Sequence, residues 1–489
     1  MISIVFMGRN RTVRTDERYF TIIKDYFGDF AQFCKRKNVL TLQESVNACG
    51  ELYPLRMIEP IMTSLYEELS SLDWETQANQ IKKLGGVCSS YLGNAYIYLN
   101  EKNKTFDVLK KTALYSDTTL VNDPLLSELC TWKQRETGAD RSFQILAQYA
   151  LQLLSIEELF SNDINPPICY LAPSSVLILK QQNALETTQN FIEESVITFY
   201  ASALFKRDFV SSNELFEFLS KFGNFRDFLA AIQKSEISLI NPDGMLVDEA
   251  KCQSIKQYYE DKYCLELSMQ DALFAIIRGR FGMGAYDLMV NGRFTPNFVT
   301  DFKGVWNNLL LLLKDKRLEV AAMRKGAVTK DMVMLNALQG EQFRWLGDVP
   351  LNKIRELRQR GELQEMRDLL GQNINDIQNA NDADFGEVAT QVEYSLREGF
   401  KRHNEEVSTL DKKYRSSYNI DLPSLIVSGA LGVASTVYPP LVYVAGITGG
   451  TTILDIVRKY REKKQELEEL KKKPVAMLFD AYEKTTDQV

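Results

Sequence analysis

The stretch Leu422–Leu454, LPSLIVSGALGVASTVYPPLVYVAGITGGTTIL, limits what its part of the chain can fold into more sharply than any other segment. It carries no charge, is rich in glycine, and is broken by Pro439 and Pro440. Each proline lacks an N–H and clashes with the preceding turn, so one continuous helix is excluded. The segment therefore reads as two apolar arms of about 17 residues that turn at 438–440, which is the lower limit for crossing a bilayer. Small residues set the close-packing faces, with Gly429 and Gly432 on the first arm and Gly446, Gly449 and Gly450 on the second. Such faces let two backbones approach in lipid or in a protein core. The weight of Gly, Ser and Thr, with only Tyr438 and Tyr443 as flanking aromatics, favours packing against protein, and membrane insertion is the alternative.

Helical stripes flank this hairpin. Val388, Val392, Leu396, Phe400, His403, Val407, Leu410 and Tyr414 recur in steps of three and four, and Ile453, Ile456, Tyr460, Leu467 and Leu470 repeat the pattern on the far side. A stripe of this kind wants a partner helix. The expected C-terminal region, 348–489, is thus a pair of long antiparallel helices tipped by the hairpin at 422–454.

Ahead of it the chain reads as a mixed α/β region, 1–180, and a mainly helical region, 181–347. Strand candidates are Ile2–Met7, Thr118–Val121, Ile168–Leu171 and Val176–Leu179, and a helix over Phe143–Leu159 between two of them suggests a βαβ-like crossover. Asp73 ahead of Trp74 looks like a helix start, and Gly85–Gly86 like a stop. Asn241-Pro-Asp-Gly244 marks a hairpin turn, and the run 305–313 is apolar but too short for a membrane span. The fold class expected is mainly α with a smaller α/β part toward the N-terminus.

A net charge of −7 and a pI near 5.3 argue against a broad nucleic-acid-binding face. Seven cysteines, odd in number and never spaced C-x-x-C, fit reduced thiols of a cytoplasmic protein rather than a disulfide framework. The opening MISIVFMGRNR is too short and wrongly ordered for a signal peptide, so the expected place is the cytoplasm, or the inner face of a membrane if the hairpin inserts. The basic run Arg458–Lys473 could then sit against anionic lipid. A single histidine, His403, excludes histidine-rich metal sites and two-histidine hydrolases within one chain. Gly279, Gly282 and Gly284 follow a helical pattern, which is the wrong context for a phosphate loop.

Two constellations carry candidate chemistry. Asp123 follows the strand candidate Thr118–Val121, at the end where ligands bind in open α/β sheets, and a carboxylate there can hold Mg²⁺. Asp117 and Asp140 are its candidate companions. The same Asp123-Pro124 pair also reads as a helix N-cap with proline at the first helical position. The second constellation, Arg397-Glu398-Gly399-Phe400-Lys401-Arg402-His403, resembles the R-x4–6-H element of the helical HEPN ribonucleases, with Glu398 where that family carries Asn, Asp or His. The resemblance implies metal-independent RNA cleavage, with Arg397 polarising the phosphate and His403 handling the proton of the 2′-hydroxyl. The bland account places His403 in a helix seam and the basic residues on a solvated face.

The expected function is that of a non-catalytic or effector-type protein acting through assembly with a protein partner or its own copy, without a cofactor. A bacterial antiviral-defence or toxin setting suits that character. The alternatives are the ribonuclease, with RNA as partner, and an effector that perturbs membranes through the hairpin.

Overall fold

The computed structural model describes residues 14–37, 42–91, 104–135, 139–161, 163–172, 185–232, 247–263, 265–279, 297–300, 329–371, 385–418, 465–466 and 469–486. The described chain is mostly helical with one small parallel sheet. It divides into two compact units, residues 1–339 with 378–383, and residues 340–377 with 384–489.

In the first unit the elements run α1 (Thr15–Lys37), α2 (Leu42–Leu52), α3 (Leu55–Ser70), α4 (Trp74–Lys82), β1 (Cys88–Tyr91), α5 (Lys104–Ala113), β2 (Thr118–Asn122), α6 (Pro124–Arg135), α7 (Ala139–Ile156) and β3 (Cys169–Ala172). There follow α8 (Leu185–Phe191), α9 (Thr198–Phe205), α10 (Ser212–Leu219), α11 (Phe225–Ile232), α12 (Glu249–Tyr263), β4 (Asn297–Val299) and α13 (Lys330–Ala337).

Helix α1 shows why these residues fold locally as they do. Tyr19, Ile23, Phe27, Phe30 and Cys34 recur every three or four residues and all are buried. Asp16 and Glu17 occupy its first turn and Lys35, Arg36 and Lys37 its last, which suits the helix dipole. Its apolar face packs with α3 and α7, where Phe27, Phe30, Tyr53 and Phe143 form an aromatic cluster with ring centroids 4.9 to 6.2 Å apart. Asp73 caps α4 by accepting the N–H of Thr76 at 2.9 Å. Gly86, at φ +79°, makes the turn into β1, a conformation that glycine adopts without strain.

The four strands are all parallel in the order β3-β2-β1-β4. The crossover from β2 through α6 and α7 to β3 is the βαβ unit that the spacing predicts. Strands β1 and β4 carry no such signal. Cys88-Ser-Ser-Tyr91 lacks apolar alternation, and β4 is three residues long. The fourth strand comes from within the region that reads as helical in sequence, so the sheet joins residues 88–91 to 297–299.

Among the described residues both outer edges of this sheet are met by side chains. On β3, the strand groups that face β2 belong to Ile168, Tyr170 and Ala172, because Ile168 and Ala172 accept from Thr119 and Asp123. In a parallel strand the N–H and C=O of alternate residues face the other way, so those of Leu171 point outward. Asp16 accepts the Leu171 N–H at 3.3 Å and the Gln77 amide donates to the Leu171 C=O at 3.1 Å. On β4, the amide of Asn336 in α13 donates to the Phe298 C=O at 2.7 Å and accepts the Thr300 N–H at 2.9 Å. An open strand edge invites pairing with another chain, and these side chains occupy it.

The second unit has a 3₁₀ segment (Glu341–Asp348), α14 (Leu351–Gln359), α15 (Leu363–Gly371), α16 (Phe385–Tyr418) and α17 (Pro474–Thr486). Gly361, at φ +73°, ends α14, and Ile354, Leu357, Leu363, Met366 and Leu370 are all buried. Helix α17 runs antiparallel to α16, since Tyr482 and Phe479 meet Phe400, Phe479 meets His403, and Lys473 pairs with Glu406 at 2.8 Å. Trp345 completes this aromatic core. Gly399 lets α15 come close, because a Cβ there would stand 2.6 Å from the Leu369 Cδ1. The expected hairpin at 422–454, the strands Ile2–Met7 and Val176–Leu179, the turn at 241–244 and the run at 305–313 lie outside the described residues. Of the expected second stalk helix, residues 465–466 and 469–472 are described, and they are helical.

Candidate functional site

Helix α16 carries both residues of the R-x5-H constellation, on different faces. A six-residue step turns an α-helix by about 600°, so His403 stands about 120° round from Arg397. Arg397 points into solvent and makes two bonds to Glu393 at 2.7 and 3.1 Å, one turn back on its own helix. His403 is 7% exposed and lies against Phe479 with ring centroids 5.8 Å apart. Its Nδ1 is buried and has no partner among the described residues. Burial lowers its pKa, against the pull of the Glu406 and Asp480 carboxylates and with the push of Lys473.

The sign of the pH effect follows. The folded unit prefers the neutral imidazole, so His403 contributes stability that is fully present above its unfolded pKa near 6.5 and is lost as the pH falls below it. His403→Phe keeps an aromatic ring against Phe479 and removes an unsatisfied buried nitrogen. The variant is expected to be at least as stable as the wild type at pH 7.5, by up to about 1 kcal/mol, and to lose the acid sensitivity of this unit. Urea unfolding at pH 5 and 7.5, followed by hydrogen exchange of peptides from α16 and α17, reads both effects. A variant whose unfolding midpoint drops at both pH values would show that the imidazole nitrogen has a function in the seam.

The same helix carries its stripe past the positions that are buried among the described residues. Val388, Val392, Leu396, Phe400 and His403 are buried. Val407 and Leu410, the next positions of the same progression, are only half-buried, and Tyr394 is 58% exposed.

In the first unit the polar residues gather at the carboxyl ends of β2 and β3. Asp123 follows β2 and caps α6, its Oδ1 accepting the N–H groups of Leu125 at 3.0 Å and Leu126 at 3.2 Å. The N1 proline, Pro124, has no N–H to satisfy. The hydroxyl of Tyr19 also donates to Oδ1, while Oδ2 is buried without a partner among the described residues. Burial pushes the Asp123 carboxyl up to about 6, against the Tyr19 hydroxyl and the two N–H groups.

One helical turn away on α1, Asp16 is equally buried. It takes the Leu171 N–H and the Gln77 amide on Oδ1 and the Arg14 guanidinium on Oδ2. Arg14 also lies over the Tyr170 ring, 4.3 Å from its centroid. Burial raises the Asp16 carboxyl to about 6, although the charge of Arg14 and the bonds from Leu171 and Gln77 hold it down.

The candidate companions of Asp123 stand elsewhere. Asp117 is at the opposite end of β2, where its carboxylate accepts the Val87 N–H at 2.7 Å, and Asp140 is exposed in the first turn of α7. Among the described residues no group of three or more His, Cys, Asp or Glu side chains could hold a metal ion. Gly429, Gly432, Gly446, Gly449 and Gly450 lie outside the described residues. Among the described residues no helix is long and apolar enough to cross a membrane. The six described cysteines are free.

Arg14, Asp16, Tyr19 and Gln77 are missing from the sequence-derived candidates. Asp16 reads only as an acid in a helix's first turn, and Tyr19 only as a core position. Their partners, Leu171 and Asp123, are 155 and 104 residues away. No known family model matches the chain, and neither the curated proteins nor the solved structures contain a match to it.

Proposed function

We propose that the protein acts as an effector-type component that works by assembly, with its C-terminal helical unit as the assembling part. The observation that supports this reading is the apolar stripe of α16. It continues through the half-buried Val407 and Leu410 beyond His403, the last of its positions that is buried among the described residues. A helix that repeats an apolar face past its cover gains free energy when a second helix lies along it, at roughly 25 cal/mol per Å² of apolar surface removed from water. The chain's own segment 453–470 repeats the stripe, and for the apolar surface left over the partner we infer is a second copy of the chain or another helical protein.

Light scattering of the full-length chain, over a range of concentrations, tests the reading. The wild type is expected to be larger than a monomer, or to co-purify with a stoichiometric partner. Val407→Glu with Leu410→Glu should release monomer while the far-UV circular dichroism stays the same. A wild type that is monomeric and alone at every concentration, or a double variant that assembles like the wild type, would refute the proposal.

A further inference from the structure

We propose that the cleft between the first turn of α7 and one face of α12 binds a small zwitterion of the amino-acid class, with its carboxylate on Arg141 and its ammonium on Asp261. The two helices pack within the first unit, and the cleft, about 360 Å³, is lined by Arg141, Gln253, Ser254, Gln257, Tyr258 and Asp261. That volume lies at the lower end of small-molecule sites, roughly 300–1,000 Å³. On α12, Gln253, Gln257 and Asp261 follow at steps of four with Ser254 and Tyr258 beside them, so one polar helix face supplies that wall.

The charges set the chemistry of the ligand. Arg141 is half-buried, yet among the described residues no carboxylate pairs with it. Its Nη1 donates to the Gln144 Oε1 at 3.3 Å, its guanidinium lies 5.8 Å from the centroid of the Tyr258 ring, and its Nε is buried without a partner among the described residues. Taking a cation partly out of water costs free energy that a facing anion offsets. Arg141 also stands in the first turn of an 18-residue helix, whose N-terminal end is itself positive and favours an anion. Asp140, the residue before it, is exposed and does not line the cleft. On the α12 wall, Asp261 carries the opposite charge and accepts the Gln257 amide at 2.7 Å. Asp261 is exposed, and a carboxylate has about four acceptor positions, so it can take an ammonium beside that bond. Opposite charges thus line one cleft without forming an ion pair with each other. A simple anion would meet a like charge at Asp261 and a simple cation would meet one at Arg141, whereas a zwitterion complements both. The Tyr258 ring offers an apolar face to the rest of the molecule.

Isothermal titration of the full-length protein with the common L-amino acids, one at a time, provides the test. At least one is expected to bind. Its N-acetyl form, which lacks the ammonium, and its amide, which lacks the carboxylate, should each bind at least about tenfold more weakly. Arg141→Gln and Asp261→Asn should weaken binding by the same order while the far-UV circular dichroism stays that of the wild type. No heat from any amino acid at about 10 mM would overturn the proposal. So would an N-acetyl form that binds as well as its parent, which is the behaviour of a plain anion site, or binding that survives both substitutions. Should Arg141→Gln fail to fold, Asp261→Asn at an exposed position and the two blocked ligands still decide.

Discussion

Asn336→Asp is expected to destabilise the first unit by about 3–5 kcal/mol. Asn336 is fully buried, and its amide nitrogen donates at 2.7 Å to two carbonyls, Phe298 on β4 and Met332 on its own helix. In the aspartate both carbonyl oxygens would face another oxygen, and a charge would be buried with only the Thr300 N–H to meet it. Domains of this kind are stable by about 5–15 kcal/mol, so a loss of that size removes a large part of the margin. Asn336→Leu, of similar size, gives up the same three side-chain hydrogen bonds but adds no charge, and should cost less. Urea unfolding followed by circular dichroism ranks the two. A wild-type melting curve for Asn336→Asp would mean that the outer edge of β4 is not closed in this way.

Gly86→Ala is expected to cost about 3–4 kcal/mol, from two sources. At φ +79° an L side chain carries about 1–2 kcal/mol of backbone strain. The new Cβ would also lie 2.1 Å from the Oδ2 of Asp117, forcing the carboxylate away from the Val87 N–H that it accepts at 2.7 Å. A lost hydrogen bond to a charged group is worth roughly 1.5–3 kcal/mol. The neighbouring Gly85→Ala serves as the control, because nothing lies within 4 Å of a Cβ placed there. Thermal melts of the two variants should differ by several degrees. Equal melts would show that the turn into β1 relaxes without loss, and that Asp117 has no part in holding the start of that strand.

Both expectations depend on contacts that the local pattern of residues does not announce, and the same division holds across the molecule. Helix α16 is legible because its stripe repeats every three or four residues over more than seven turns. The break at Gly361 is legible because a glycine stands between two amphipathic segments. The crossover from β2 to β3 is legible because two apolar runs flank a helical pattern of fitting length. Asp123 is legible in its capping role, since proline follows it. For Arg397 and His403 the stripe and the six-residue spacing separated the two faces, but the helix that meets His403 was not visible. That depended on where α17 came to lie, which put His403 against Phe479 and left Arg397 to Glu393.

By itself the sequence determined the strongly periodic helices, several of their caps and breaks, and the parallel strand pair β2–β3, because periodicity, capping and turn chemistry act over a few residues and leave their mark there. Only the tertiary structure decided that Cys88-Ser-Ser-Tyr91 and Asn297–Val299 are strands, since neither has the apolar pattern to form one alone and each is a strand by virtue of its neighbour. It also decided that Asp16, Gln77 and Asn336 meet the outward backbone groups of β3 and β4. An unpaired backbone group in a buried edge must find a donor or acceptor wherever the fold brings one. At Leu171 those partners come from 94 and 155 residues away in the chain, a distance over which no local pattern can point.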